Sequence, residues 1–263
     1  MKLYSIYEFP ESLYILSKIL VNIEKMQPVH NLEAENILEK LLGKRPSRIK
    51  ITIRNLKSLE IITGKNSIKL SHETQVYMDT NSDLSELLLL LIYNDENLFQ
   101  QCKDICNIEN FDVINNINLI YILWSRGYTE ENISTAKEKI YALKRLINCC
   151  YHNKSKENNI FTEYENYLNF IEDLQNEYLS MAPIGEVMVI NNIRRVMEVN
   201  KGYTFNKFNR FLNRLFNDPI YSKFVAFTTV NNIFAHKGYF SIKDKDYYYI
   251  KLLKRIIYKN TLF

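Results

Sequence analysis

The chain has 263 residues, enough for one large domain or two to three small ones, and 46% of them are hydrophobic, so it can bury extensive cores. Its formal net charge is only +4, which means that local clusters of cations are more informative than the overall charge. Six glycines and five prolines are too few for a loop-rich β protein. The longest apolar run, residues 87–93, is far below the about 20 residues that a membrane span needs, so no membrane association is expected.

The cysteines are Cys102, Cys106, Cys149 and Cys150. The N-terminus lacks the basic and apolar regions of a signal peptide, so a cytoplasmic protein with free, buried thiols is predicted. The cysteine spacing, even with His152 added, fits no common zinc module. We therefore expect neither a metal site nor another cofactor.

The first predicted elements are three amphipathic segments in succession. Residues 10–26 have helical hydrophobic spacing, and Pro28 ends that helix. Residues 31–42 repeat the spacing before a break at 43–46. A further helix then follows, with Ile49, Ile53 and Leu56 on one face.

A β-hairpin is predicted directly after this helix pair. Residues 59–62 form its first strand, 63–66 its turn and 67–71 its return strand. Gly64 and Asn66 tolerate the positive φ that a tight turn requires. Together with a capped helix at 84–93 and a further helical pattern at about 95–106, these elements define a predicted N-terminal unit, residues 1–107.

The break and the helix after it form the most basic stretch of the chain. No acidic residue occurs between Glu39 and Glu60. The cations of this stretch are Lys44, Arg45, Arg48, Lys50, Arg54 and Lys57.

Residues 108–181 are predicted to form a helical middle or linker unit. Helices are expected at 114–123 and 134–147, with Thr129 capping a short helix between them, in the outline of a degenerate helix-turn-helix. A connector helix is expected at 162–180 because its apolar residues keep a three-to-four spacing.

The C-terminal unit, residues 182–263, is predicted to begin with a helix at 187–199 and a turn at 200–203. Thr204 caps a second helix, and strands follow at 223–229, 239–242 and 246–253. Asparagine and arginine, which make bidentate contacts to adenine and guanine edges, are frequent on its outward face. The polar residues predicted there are Asn206, Lys207, Asn209, Arg210, Asn213 and Arg214. No exact internal repeat is visible in the sequence.

The order helix, turn, helix, hairpin at 30–75 and again at 184–253 resembles winged helix-turn-helix domains. The whole chain resembles the tandem winged-helix recognition regions of restriction endonucleases, with two winged-helix units joined by a helical linker region. This resemblance implies a protein that binds double-stranded DNA without cutting it. Such a protein serves as the recognition subunit or regulator of a DNA-processing, restriction/defence or replication system, with a nuclease or ATPase partner.

The resemblance also implies separate roles for the basic residues of the first unit. Phosphates would be held by Lys44, Arg45, Lys50 and Lys57. Base edges would be nearest to Arg48, Thr52, Arg54 and Asn55. The hairpin around Lys65 would lie on the DNA backbone or in a minor groove.

Two other functions remain open. Winged helices also act as protein–protein adaptors in larger complexes. In addition, Arg145 and His152, and less completely residues 231–236, resemble the Arg-x4–6-His pattern of HEPN ribonucleases. No acidic residue has a lysine two positions later, and the glycines are isolated, so no catalytic residue of a restriction-type nuclease or phosphate-loop enzyme is predicted.

Overall fold

The structure, a computed structural model, describes residues 1–130, 132–152, 154–156, 158–229, 240–242 and 245–256. Over these ranges the chain is mostly helical with small antiparallel sheets, which confirms the predicted mostly α (α+β) class. The chain divides into two compact units, Met1–Glu163 and Tyr164–Phe263. This grouping differs from the three-part division predicted from the sequence.

Unit 1 begins with a helix, a short strand, a pair of helices and a hairpin, and it continues with further helices. The first group is α1 (Leu13–Met26), β1 (Val29–His30), α2 (Asn31–Leu42), α3 (Pro46–Ser58), β2 (Ile62–Thr63) and β3 (Ser67–Leu70). The second group is α4 (His72–Asp79), α5 (Leu84–Tyr93), α6 (Glu96–Cys106), α7 (Asn116–Ser125) and α8 (Ile133–Cys150). The three strands form an antiparallel sheet in the order β1-β3-β2.

Two glycines shape the region around α3. Gly43 ends α2 in the left-handed conformation, with φ of 59°, and its N–H donates to the carbonyl oxygen of Glu39. Gly64 turns the chain between β2 and β3 with φ of 106°, and a Cβ placed there would lie 1.9 Å from the backbone oxygen of Ser67. The hairpin can therefore form as described only with glycine at this position.

We expect alanine substitutions at the two glycines to lower the free energy of unfolding by different amounts. Gly43→Ala should lower the free energy of unfolding by about 1 kcal/mol, because only the left-handed backbone is unfavourable for alanine. Gly64→Ala should cost about 2–3 kcal/mol, since the clash with Ser67 adds to the backbone strain. Urea unfolding of the two variants measures this difference, and equal costs would contradict the described hairpin.

The segment predicted as a middle unit is part of unit 1 as far as Glu163. Helix α8 packs against α5 and α7. The short helix expected at Thr129 is not formed over residues 128–130, because Thr129 pairs with the N-terminal segment in a parallel bridge to Lys2. The backbone N–H of Leu3 donates to the carbonyl oxygen of Thr129 at 3.3 Å. The N-terminal segment thus takes the hydrogen-bonding groups that a helix would need.

Unit 2 repeats the alternation of helices and short strands. Its elements are α9 (Ile160–Met181, which starts just before the unit boundary), β4 (Met188–Val189), α10 (Ile190–Lys201), α11 (Phe205–Asn217), a 3-10 turn (Tyr221–Phe224), β5 (Val225–Thr229), β6 (Phe240–Ile242) and β7 (Lys245–Leu252). All strand pairs are antiparallel, with β7 between β4 and β5 and also paired with β6. The three predicted strands correspond to β5–β7, although Tyr239 lies outside the described residues.

The two units share one arrangement in their strand–helix–helix segments. The elements β1, α2 and α3 have the same lengths as β4, α10 and α11, respectively. Each pair is separated by 159 residues in sequence, and the same offset relates Gly43 to Gly202. In each sheet the last strand pairs with the strand before the helix pair and with the first strand after it: β3 lies between β1 and β2, and β7 lies between β4 and β5. The buried positions correspond as well: Ala34, Leu38, Ile49, Ile53 and Leu56 have as counterparts Ile193, Met197, Phe208, Leu212 and Leu215.

Candidate nucleic-acid interface

Helix α3 presents a solvent-exposed face that contains cations and no carboxylate. Its exposed residues include Ser47, Lys50, Arg54 and Ser58, and Lys57 is half-exposed beside them. The Lys50 ammonium lies 3.9 Å from a carboxylate oxygen of Glu35, and 63% of the Lys50 side chain is exposed. Among the residues that the structure describes, none forms an ion pair with Arg54 or Lys57. These three cations can therefore reach an external anion.

The other cations of this region are neutralised from distant parts of the chain. The Glu8 carboxylate lies 2.7 Å from the Lys44 ammonium, 3.3 Å from the Arg48 guanidinium and 3.7 Å from that of Arg145. Arg48 also donates to Glu138 at 3.0 Å, and this hydrogen bond raises the pKa of Arg48. The acid-free run at 44–57 is thus partly balanced by carboxylates that lie outside it in sequence.

Two residues predicted to approach base edges are instead buried. Thr52 is 1% exposed and donates its hydroxyl to the backbone oxygen of Arg48 at 3.0 Å. Asn55 is 2% exposed and donates its amide to the backbone oxygen of Glu8 at 2.7 Å. The assignment of Thr52 and Asn55 to base contact was wrong, because α3 is buried along a wider arc than Ile49, Ile53 and Leu56 alone indicated. Arg48 lies on the same side and is held by two carboxylates.

Further exposed cations lie at the start of α3 and on the hairpin of unit 1. Arg45 immediately precedes α3 and is exposed. Lys65 is exposed at the tip of the hairpin, as predicted, and its backbone oxygen accepts from the Asn31 amide at 2.9 Å. Lys69, on β3, is exposed too. Lys69 was not among the cations predicted from the sequence to contact DNA. The alternation of apolar Ile68 and Leu70 with Lys69 along the strand was the signal that could have indicated its exposure.

Helix α11 of unit 2 exposes a polar face at the positions that correspond to the outward face of α3. Asn206, Arg210, Asn213 and Asn217 are exposed, and Asn209 is half-exposed. The helix contains no acidic residue. The predicted outward positions 206, 209, 210 and 213 therefore do lie on one accessible face.

The two remaining cations of α11 lie beside this face and contact aromatic rings. The Lys207 ammonium is 5.1 Å from the centre of the Tyr203 ring. The Arg214 guanidinium is 4.3 Å from the centre of the Tyr167 ring, and the side chain is half-buried. Such stacking holds a guanidinium in place while its charge remains.

An acidic residue of α9 fixes the turn that leads into α11. Asp173 accepts from the Tyr203 hydroxyl at 3.0 Å and pairs with the Lys201 ammonium at 2.8 Å. The hydrogen bond to Asp173 raises the pKa of Lys201. Gly202 between them is left-handed, with φ of 70°. The start of α11 is therefore held by side-chain contacts as well as by its Thr204 cap.

The residues of the predicted ribonuclease pattern do not share a helical face. Arg145 lies in α8 and donates to Glu11 at 2.9 Å and to the Tyr141 hydroxyl at 2.6 Å. His152 lies in the turn after α8, which ends at Cys150. The second pattern, at 231–236, lies outside the described residues.

The cysteines of unit 1 are free thiols, and three of them are buried. Cys102, Cys149 and Cys150 are at most 2% exposed, and burial raises the pKa of Cys149 to about 12. Burial also raises the pKa of Cys106 to about 12. Across the described ranges, no group of three or more histidine, cysteine or acidic side chains is arranged to hold a metal ion.

No helix in the described part of the chain is both long and apolar enough to cross a membrane. No protein-family model, curated protein or solved structure matches the chain significantly.

Proposed function

We propose that this protein binds double-stranded DNA, without cutting it, through the exposed faces of α3 and α11. The observation that carries this proposal is the repeated arrangement of the two units, in which equivalent helices expose polar faces without a carboxylate. Helix, strand, helix, helix and hairpin is the order found in winged helix-turn-helix domains. There the second helix of the pair enters the major groove.

The contacts in unit 1 divide its cations into two groups. Arg45, Lys50, Arg54 and Lys57 are the cations of the α3 region that can neutralise phosphates. Lys65 and Lys69 extend this set onto the hairpin. Lys44 and Arg48 already neutralise Glu8 and Glu138, so their recruitment to DNA would expose buried or paired carboxylates. We assign these two residues to the stability of unit 1.

A protein–protein adaptor is the second candidate, and exposed hydrophobic residues of unit 2 favour it. Val199 is 82% exposed near the end of α10, and Phe205 is 48% exposed at the start of α11. An adaptor would not retain duplex DNA at moderate salt, because DNA affinity depends on the release of counterions from phosphates. Salt-dependent binding therefore separates the two functions.

The exposed cations of α3 provide the test of the proposal. A variant with Lys50, Arg54 and Lys57 replaced by Gln should bind a random-sequence duplex more weakly. Its slope of log affinity against log salt concentration should be shallower by about 2–3, since each lost phosphate contact removes about 0.9. Fluorescence anisotropy with a labelled duplex, titrated at several salt concentrations, measures both quantities.

The matched control changes the same number of charges elsewhere in unit 1. Lys18, Lys25 and Lys137 are exposed on α1 and α8, and their replacement by Gln lowers the net charge equally. We expect this control to keep the salt slope of the unmodified protein. Equal effects of the two triple variants would show that only the net charge matters and would contradict a binding face on α3.

A further inference from the structure

The outward positions of α11 differ in chemistry from those of α3. At the offset of 159 residues, Ser47, Lys50, Ile51, Arg54 and Ser58 correspond to Asn206, Asn209, Arg210, Asn213 and Asn217. Asparagine accounts for 31 of the 263 residues, so a helix of this length would contain about one or two by composition. Helix α11 contains four, all on its outward side.

The spacing of these asparagines fits a helix lying along base pairs. Asn213 lies seven positions after Asn206, which corresponds to about 10.5 Å along a helix axis. Successive base pairs are about 3.4 Å apart, so this distance covers about three of them. Side chains at i, i+3 and i+7 point to the same side. Asn206, Asn209 and Asn213 can therefore face different base pairs of one short DNA segment at once.

The surroundings of the asparagines leave their amides available. In the described residues, the side chains of Asn206 and Asn209 have no hydrogen-bond partner. Asn213 accepts from the Asn217 amide at 3.0 Å through its Oδ1 atom, which leaves its own amide nitrogen able to donate. Lys207 and Arg214 flank this face. A row of amides with cations at its side combines base contacts with phosphate contacts.

We infer that α11 is the base-reading helix of this protein and that it selects A·T base pairs in the major groove. The inference rests on the proposed function and deepens it. The carboxamide oxygen of asparagine accepts a hydrogen bond from the N6 amino group of adenine, and its amide nitrogen donates one to N7. No other base offers this pair of contacts in the major groove. Helix α3, with cations and serine at the same positions, supplies sequence-independent affinity.

The test compares two duplexes with identical flanks and a central segment of either A·T or G·C pairs. The unmodified protein should bind the A·T duplex at least about fivefold more tightly, the lower limit for one bidentate contact. Replacing Asn206, Asn209 and Asn213 by Ala should abolish this preference while affinity for the G·C duplex changes by less than about twofold. Asn192, exposed on α10, provides the control substitution to Ala, which should keep the preference.

A third duplex separates major-groove contacts from duplex shape. Replacing adenine by 7-deazaadenine removes the N7 acceptor and should reduce the preference of the unmodified protein. Equal binding to the A·T and G·C duplexes, a preference retained by the triple variant, or indifference to 7-deazaadenine would each overturn the inference. If the unmodified protein bound neither duplex, the proposed DNA-binding function itself would fail.

Discussion

Replacing Lys139 by Met should lower the free energy of unfolding by about 3–5 kcal/mol, the cost of breaking a buried ion pair by removing one of its members. Lys139 lies in α8 with only 2% of its side chain exposed, and it contacts Glu130, whose side chain is 5% exposed. Its ammonium also donates to the backbone oxygen of Leu3 at 3.2 Å. The substitution removes the ammonium group that pairs with the Glu130 carboxylate and donates a hydrogen bond to the Leu3 carbonyl oxygen.

The measurement is urea unfolding followed by the fluorescence of Trp124, the only tryptophan and a residue of unit 1. Lys137→Met removes an exposed lysine of the same helix and should cost less than about 0.5 kcal/mol. Adding Glu130→Gln to Lys139→Met should restore part of the loss, because the second substitution removes the buried carboxylate charge as well. A loss for Lys139→Met no larger than that for Lys137→Met would contradict the described ion pair.

Phe170→Ala should cost about 3–5 kcal/mol, as expected for removal of a large core side chain. Phe170 is 0% exposed in α9, and its ring centre lies 5.4 Å from that of Tyr203, 5.5 Å from that of Phe208 and 5.4 Å from that of Phe211. It therefore supports both the turn before α11 and the inward face of that helix. Removing it should loosen the helix to which we assign base reading.

Circular dichroism during thermal unfolding tests this expectation. Phe205→Ala is the matched control, since it removes the same ring from an exposed position, 48% accessible, at the start of α11. We expect the control to shift the unfolding temperature by only a small fraction of the Phe170→Ala effect. Similar shifts for the two variants would contradict the aromatic core of unit 2.

The local elements around α3 and α11 could be predicted because they follow from near neighbours in sequence. Gly43 and Gly202, the Thr204 cap and the three-to-four spacing of apolar residues determine each helix pair. The turn residues Gly64 and Asn66 likewise indicated the hairpin after α3. These signals act over a few residues, so one sequence suffices to read them. Helix α4, with only Thr74 and Tyr77 buried, lacked such a signal and was missed.

The electrostatics of α3 could not be predicted in this way. Glu8 is 36 residues from Lys44, and Glu138 is 90 residues from Arg48. Nothing in the run 44–57 indicates that these carboxylates fold against it. The burial of Asn55 has the same cause, because its amide donates to the backbone oxygen of Glu8 in the N-terminal segment. Long-range packing thus decides which cations of a basic helix stay accessible.

The repeat between the units was also hidden from sequence reasoning. Over the matched strand–helix–helix segments, shared identities such as Gly43 with Gly202 and Leu56 with Leu215 are few. The match instead lies in element lengths, buried positions and strand order, each of which many residue types can satisfy. The outward positions differ most between the units, as expected if the two helices make different contacts with one class of ligand.

The most direct test of DNA binding is the salt dependence of the unmodified protein's affinity for a random-sequence duplex. The four accessible cations of the α3 region, together with those of the hairpin and α11, predict a slope of log affinity against log salt steeper than about −3, at about −0.9 per phosphate contact. Anisotropy titrations across a range of salt concentrations provide this slope. Absence of binding at low salt, or an affinity that does not change with salt, would contradict a DNA-binding function.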